Sequence, residues 1–324
     1  MKLAVIGAGA IGGWLTSGFV EAGATATVLA RGATLAALRT SGLALDDGTS
    51  LRRYDVAATD DPADLRDADV LLLGLKAHDL PRLAPLIDAA LGPRTTVVAA
   101  INGLPWWFFE AFGGPAQGLH LDAVDPDGVL ARLMPAGRVV GAVIHAASLV
   151  EAPGRIRLVA ANSVLLGDAA DGGLASDIAR HLAAGGIPAS ATDAIHRAVW
   201  SKLWGNSNMN PLSALCRADL ATMLDDEGVR GLALTMMREM STVGARIGLT
   251  GFDDVEARIE TTRKLGTFRT SMLQDVDAGR ALELDPILGA LVELARKLEV
   301  PTPVMDGVHG LARLLDQSLS GPRP

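Results

Sequence analysis

The chain has 324 residues, 29 Lys and Arg against 37 Asp and Glu for a net charge of −8, and is 49% hydrophobic and 20% charged. That composition excludes a disordered chain, and the acidic balance argues against non-specific nucleic-acid binding. The length suits about two domains, and the single cysteine, Cys216, excludes a disulfide scaffold or a thiolate metal cage and points to a reducing, cytoplasmic setting.

Residues 3–20 form an uncharged run after Lys2 that superficially copies a secretory signal or membrane segment. Glycines at 7, 9, 12, 13 and 18 interrupt the run and leave only Leu3–Ile6 as a strictly apolar block, which is strand length. The better reading is a short buried strand at Leu3–Ile6, a tight turn over Gly7–Gly12, and a helix over Ala10–Ala22 ending at Gly23. A second strand rich in β-branched residues follows at Thr25–Ala30, which completes a βαβ unit. The alternation continues with a strand at Val70–Leu75, a helix near Leu80–Ala90 and a strand at Thr95–Ile101. Further strands are expected at Arg138–Ser148, Ile156–Ala160, Ser163–Leu166 and Ala189–Ala191, with Pro153-Gly154 as a turn. After Thr192 only helix-period segments remain: Ala194–Ser207, Leu212–Leu224, Glu227–Ile247, Val255–Leu265, Ser271–Ala278, Pro286–Leu298 and Val304–Ser318. Gly321–Pro324 reads as a frayed tail.

Gly7-Ala8-Gly9-Ala10-Ile11-Gly12 is a G-x-G-x-x-G pattern between a predicted strand and a predicted helix. In that context the first glycine permits the turn, the second lets backbone approach a pyrophosphate, and the third lets helix and strand pack closely. The expected fold is therefore α/β: an N-terminal Rossmann-type doubly wound parallel sheet over residues 1–192, followed by an all-helical C-terminal domain over 193–324. The second strand ends in Leu29-Ala30-Arg31-Gly32 without the acidic residue that would select NAD. Arg31 can meet a 2′-phosphate with a charge-assisted fork, so NADP(H) is the expected cofactor.

In the helical part, Lys202 and Asn206 lie four apart on one predicted helix face, with Asn210 next in the row and Trp200, Leu203 and Trp204 on the apolar side. On composition alone such a face is usually just wet. Asn102-Gly103 is by composition an ordinary turn, although it follows a strand C-terminus, where sheets of this kind bind ligands.

Together these residues resemble the ketopantoate reductase family, also called 2-dehydropantoate 2-reductase. The resemblance rests on the opening GAGAIG, Arg31, Leu75-Lys76-Ala77, Asn102-Gly103, His145-Ala146-Ala147 and Pro153-Gly154-Arg155-Ile156. It continues in Lys202-Leu203, Asn206, Asn210-Pro211-Leu212, Ser271-Met272-Leu273-Gln274-Asp275 and Glu283-Leu284-Asp285, and so spans nearly the whole chain. It implies reduction of 2-dehydropantoate to pantoate with NADPH, for coenzyme A precursor synthesis. By resemblance, Lys202 is the proton donor and Glu283 the acid that holds the substrate hydroxyl and influences that lysine. Asn102, Asn206, Asn210 and Ser271 are implied as substrate-side donors. Gly7, Ala8, Gly9, Ala10, Ile11, Gly12, Arg31, Lys76 and again Asn102 are implied as cofactor contacts.

The chain departs from the family pattern at Ile101, where a polar residue is common, and in the aromatic run Trp106-Trp107-Phe108-Phe109, which reads as packing or as a wall that changes substrate size. His120 in this stretch reads as a loop residue and Cys216 as core. A reductase of another bulky 2-oxo acid or an imine stays open, as does a non-catalytic NADP-sensing protein. The expected partner is a small-molecule 2-oxo acid rather than nucleic acid or membrane. A homodimer is left open, and no metal site is expected.

Overall fold

The computed structural model describes residues 1–320, and the tail Gly321–Pro324 lies outside the described residues. The chain divides into two compact units. The first comprises Met1–Ile101, Trp107–Phe112 and Gly128–Ala198, and the second Asn102–Trp106, Gly113–Asp127 and Val199–Pro324.

The first unit carries a ten-stranded sheet. Its strands are β1 (Lys2–Ile6), β2 (Thr25–Leu29), β3 (Leu43–Asp46), β4 (Leu51–Tyr54) and β5 (Ala57–Thr59), then β6 (Val70–Leu73), β7 (Thr96–Ala99), β8 (Val139–Ala152), β9 (Arg155–Asp168) and β10 (Ala189–Ala191). The spatial order is β4-β3-β9-β8-β7-β6-β1-β2-β5, with β10 on β9. From β8 to β5 every neighbour is parallel, which is the expected doubly wound sheet. The helices of this unit are α1 (Ala10–Glu21), α2 (Gly32–Ser41), α3 (Leu80–Ala90), α4 (Val129–Leu133) and α5 (Leu174–Ala184), and the start of α6 (Ile195–Cys216) belongs to it as well.

Central strands of a parallel sheet are covered on both faces, and β6 shows why they read as continuous apolar runs. Val70 and Leu72 join the cluster formed with Trp14, Leu15 and Phe19 of α1 and Ile178 and Leu182 of α5. Leu71 and Leu73, equally buried, point to the opposite face by strand alternation.

One sequence expectation in this unit is corrected. Ile156–Ala160 and Ser163–Leu166 are parts of one fourteen-residue strand, β9, which pairs antiparallel with the equally long β8 through three register shifts. These irregularities interrupt the regular alternation that would have marked a single long strand. The sheet is therefore mixed at that side, where β3 adds parallel to β9 and β4 antiparallel to β3. The aromatic run packs: Trp106, Trp107, Phe108 and Phe109 are all buried. Trp107 and Phe108 meet the ring of His196 edge-on at centroid distances of 5.6 and 5.2 Å, so their part in the run is the interior of this unit.

The second unit is helical: the rest of α6, then α7 (Leu220–Asp225), α8 (Glu227–Arg246), α9 (Val255–Arg263), α10 (Ser271–Asp277), α11 (Ala290–Lys297) and α12 (Pro303–Ser320). Side-chain caps explain several helix starts, because each orphan N–H near an N-terminus needs an acceptor. Asp219 accepts from Thr222, Asp226 from Val229 and Asp254 from Ala257, each at 2.9 Å, and Thr270 accepts from Leu273 at 3.2 Å.

Helix α6 corrects the expected break between Ser207 and Leu212, since it runs unbroken through Pro211. Burial of Asn208, Met209, Leu212 and Ala214 holds the segment helical at the cost of one ladder donor. The expected helix Leu212–Leu224 is instead divided by Arg217, which adopts φ 51° between α6 and α7. Cys216, the last residue of α6, is exposed rather than core. His120 is a loop residue, as expected, with its Nε2 3.0 Å from Asp122 Oδ1. Among the described residues no helix is long and apolar enough to cross a membrane.

Candidate functional site

The sequence-predicted site residues fall into two groups, one in each unit. In the first unit, β1 passes into α1 through the glycine turn. Gly7 has φ +92°, a conformation that L side chains rarely adopt, and a Cβ there would stand 2.6 Å from Gly74 O. A Cβ on Gly12 would stand 2.0 Å from Gly7 O and 3.1 Å from Gly74 Cα, so strand end, turn and helix touch through backbone alone. Gly74 is a member of this contact that sequence reasoning missed; its only signal is its place at the end of an apolar strand.

Gly9 differs. A Cβ on it would meet nothing within 4 Å, and it caps α1 without a side-chain bond. The first N–H groups of a helix lack intrahelical acceptors and carry the positive end of its dipole. An open, side-chain-free approach to that terminus fits a pyrophosphate, with Ala8, Ala10 and Ile11 partly exposed beside it. Arg31 caps α2 directly beyond β2, is exposed, and pairs with no carboxylate among the described residues. Lys76 is partly exposed behind β6, at the start of a short 3₁₀ turn over Ala77–Asp79. The open cradle and the adjacent dipole fit the pyrophosphate of a dinucleotide.

In the second unit three segments distant in sequence converge. Asn206 on α6 donates from Nδ2 to Asn102 Oδ1 at 3.2 Å. The Asn102-Gly103 turn is seated on Pro286: Gly103 has φ +86°, a Cβ there would stand 2.5 Å from Pro286 O, and Leu104 N–H donates to that same oxygen at 2.7 Å. Pro286 belongs to a π-helical turn, Asp285–Gly289, that follows Glu283. Single π turns recur at functional sites because they re-aim the residues around them. Glu283 in turn acts on Lys202: burial pulls the lysine ammonium down to about 8, and the nearby Glu283 carboxylate opposes the fall. The structure therefore links Lys202 to Glu283 and Asn206 to Asn102, and ties the Asn102 and Glu283 segments to each other.

Two expected residues are less tightly drawn in. Asn210 is 5% exposed, and its Nδ2 has no hydrogen-bond partner. A buried amide nitrogen without an acceptor is costly, so a ligand acceptor would fit it. Ser271 opens α10, is exposed, and makes no side-chain hydrogen bond among the described residues. The rest of that motif is structural, since Met272 and Leu273 are buried and Asp275 accepts from Arg280 Nε at 2.8 Å.

Comparison with known proteins matches both halves. The family model Ketopantoate reductase PanE/ApbA covers residues 3–108, and Ketopantoate reductase PanE/ApbA C terminal covers residues 194–316. A 2-dehydropantoate 2-reductase of Mesorhizobium japonicum is 39% identical over 97% of this chain and 98% of its own length. A solved structure from Ralstonia solanacearum MolK2 superposes with TM-score 0.92 at 41% identity over 98% of each chain. A D-mandelate dehydrogenase solved with NADH and anilino(oxo)acetate shares the fold, with TM-score 0.83 at 22% identity over 99% of this chain and 100% of that one. The chain belongs to the ketopantoate reductase family, NAD(P)H-dependent oxidoreductases that act on a CH–OH group.

Proposed function

We propose that this enzyme reduces the 2-oxo group of 2-dehydropantoate to the hydroxyl of pantoate with NADPH. The observation that carries the reading is Lys202, whose ammonium is held near a pKa of about 8 by burial and by Glu283 beside the linked asparagines. When bound, the reduced dinucleotide supplies the hydride that adds to C2. Lys202 supplies the proton to the carbonyl oxygen as its C–O double bond becomes single, which leaves the lysine neutral until solvent reprotonates it. The oxygen becomes more negative on the way to the transition state, so a cation there binds that state more tightly than the ground state. A donor with pKa near the working pH gives up its proton readily while still being largely protonated.

Glu283 favours the protonated lysine and, as the resemblance implies, accepts the substrate hydroxyl. Asn102, Asn206, Asn210 and Ser271 are the substrate-side donors in this reading. Gly7 to Gly12, Arg31 and Lys76 would hold the dinucleotide, with Asn102 also reaching it. Loss of NADPH absorbance with 2-dehydropantoate against a panel of 2-oxo acids and imines tests the substrate. Preference for another member of the panel would replace 2-dehydropantoate, and no turnover at all would favour a sensor.

The choice of NADPH over NADH rests on Arg31. An exposed guanidinium with no carboxylate partner among the described residues is available to a 2′-phosphate, and a charge-assisted contact is strong enough to set a preference. Arg31→Ala is expected to lower kcat/KM for NADPH on the order of 10- to 100-fold and leave NADH nearly unchanged. An unaltered ratio of the two cofactors in steady-state assays would reject the role.

A further inference from the structure

Helix α9 brings a cation to α6 that none of the motifs above includes. Arg258 is partly buried, its Nε is shielded from water, and that atom has no hydrogen-bond partner. Among the described residues it is bonded only through its backbone: its N–H donates to Asp254 O at 3.2 Å and its carbonyl accepts from Thr262 Oγ1 at 3.0 Å. Burial lowers the guanidinium pKa, and no carboxylate among the described residues offsets the effect. The group lies over Gly205, where a Cβ would stand 2.7 Å from Nη2 and 3.5 Å from Nε and Cζ. Any side chain at 205 would displace it.

Gly205 is three residues after Lys202 and adjoins Asn206, and helix positions three apart are neighbours on the surface. The guanidinium therefore flanks the face that carries the proton donor. A buried donor such as this Nε is costly when it has no acceptor, and buried polar groups in native proteins are satisfied by protein, water or ligand. A guanidinium is a planar fork whose best match is a carboxylate or a phosphate. Every 2-oxo acid carries a carboxylate bonded to the very carbon whose oxygen Lys202 would protonate.

We propose that Arg258, given room by Gly205, binds the carboxylate of the 2-oxo acid substrate and makes this enzyme selective for acids over neutral 2-oxo compounds. The assignment deepens the reductase reading and rests on it. The acid turned over best and its primary amide share a carbon skeleton and differ in charge, so they serve as the paired probes.

Steady-state kinetics with NADPH on the wild type, Arg258→Met, Arg258→Lys and Gly205→Ala, alongside thermal melts, make the test. The wild type should prefer the acid. Arg258→Met should raise KM for the acid on the order of 100-fold with kcat within about threefold, and leave kcat/KM for the amide within about threefold. Arg258→Lys should recover part of the loss. Gly205→Ala should raise the acid KM although the charge is retained, and these two variants keep the test open if Arg258→Met fails to fold. A wild type without acid preference, an acid-to-amide ratio unchanged by the substitutions, or equal losses on both probes with a lowered melting temperature would each overturn the assignment. A wild type inert towards every 2-oxo acid would overturn the reductase reading and this assignment with it.

Discussion

Lys202→Met is expected to lower kcat for the 2-oxo acid on the order of 10²- to 10⁴-fold, the range that positioned proton donors contribute, while leaving NADPH binding intact. The pH dependence is the sharper test. Only the protonated lysine donates, so kcat/KM in the wild type should fall as pH rises through about 8, the value to which burial pulls this ammonium. Glu283 opposes that pull, so Glu283→Gln should move the basic limb to lower pH, and Lys202→Met should abolish it. A wild-type limb near the ordinary lysine value, or a limb that survives Lys202→Met, would remove the lysine from the mechanism.

The same shift bears on stability. The native lysine gives up its proton near pH 8, whereas the unfolded chain keeps it to about 10.5, so between these values the unfolded state binds more protons and stability rises with pH. Below about pH 8 the buried charge costs about 3 kcal/mol, which follows from about 1.4 kcal/mol per pKa unit. Lys202→Met should therefore raise stability at pH 7 by up to that amount, less whatever Glu283 loses when left without its cation. The gain should shrink towards pH 10 in denaturant titrations. Higher stability with lost activity would mark a site held against the preference of the fold.

How far the sequence reached depended on whether structure was coded locally. The turn from β1 to α1 was legible because each glycine answers a local demand, and α8, α9 and α10 were legible from their helical period, their starts being held by Asp226, Asp254 and Thr270 acting on N–H groups three residues away. Strands β3, β4 and β5 were not foreseen: they are three or four residues long, and β4 is LRRY with its first three residues exposed, so it carries no apolar alternation. Pro211 misled in the opposite direction, because burial of its neighbours outweighs the local preference to stop a helix.

For the site, helical spacing grouped Lys202 with Asn206, and resemblance added Glu283. The contact of Gly103 with Pro286 joins residues 183 positions apart and has no local signature. Arg258 likewise lies outside every such motif, and only the three-dimensional structure shows that its buried Nε has no partner among the described residues and what the guanidinium covers.

Gly9 and Gly12 lie three residues apart in one motif, yet alanine at each is expected to fail for a different reason. At Gly12 the new Cβ would fall 2.0 Å from Gly7 O and 3.1 Å from Gly74 Cα, both backbone atoms that no rotamer change can move. Helix α1 must then separate from the turn, and overpacking of this kind costs about 1–3 kcal/mol or more. Gly12→Ala should therefore lower the melting temperature of the protein without cofactor by several degrees, roughly 2–4 °C per kcal/mol for domains of this size. At Gly9 the Cβ would meet nothing within 4 Å, and its φ of −75° suits alanine, so the same melt should be nearly unchanged. What the methyl would fill is the space a pyrophosphate needs to reach the N–H groups of α1. NADPH raises the melting temperature of a protein that binds it by mass action, and in Gly9→Ala that rise should be largely lost. If Gly9→Ala keeps the full NADPH-induced shift, the turn is only a packing device and the dinucleotide binds elsewhere. If Gly12→Ala melts as the wild type does, the backbone contact among Gly7, Gly12 and Gly74 does not set the spacing of strand and helix.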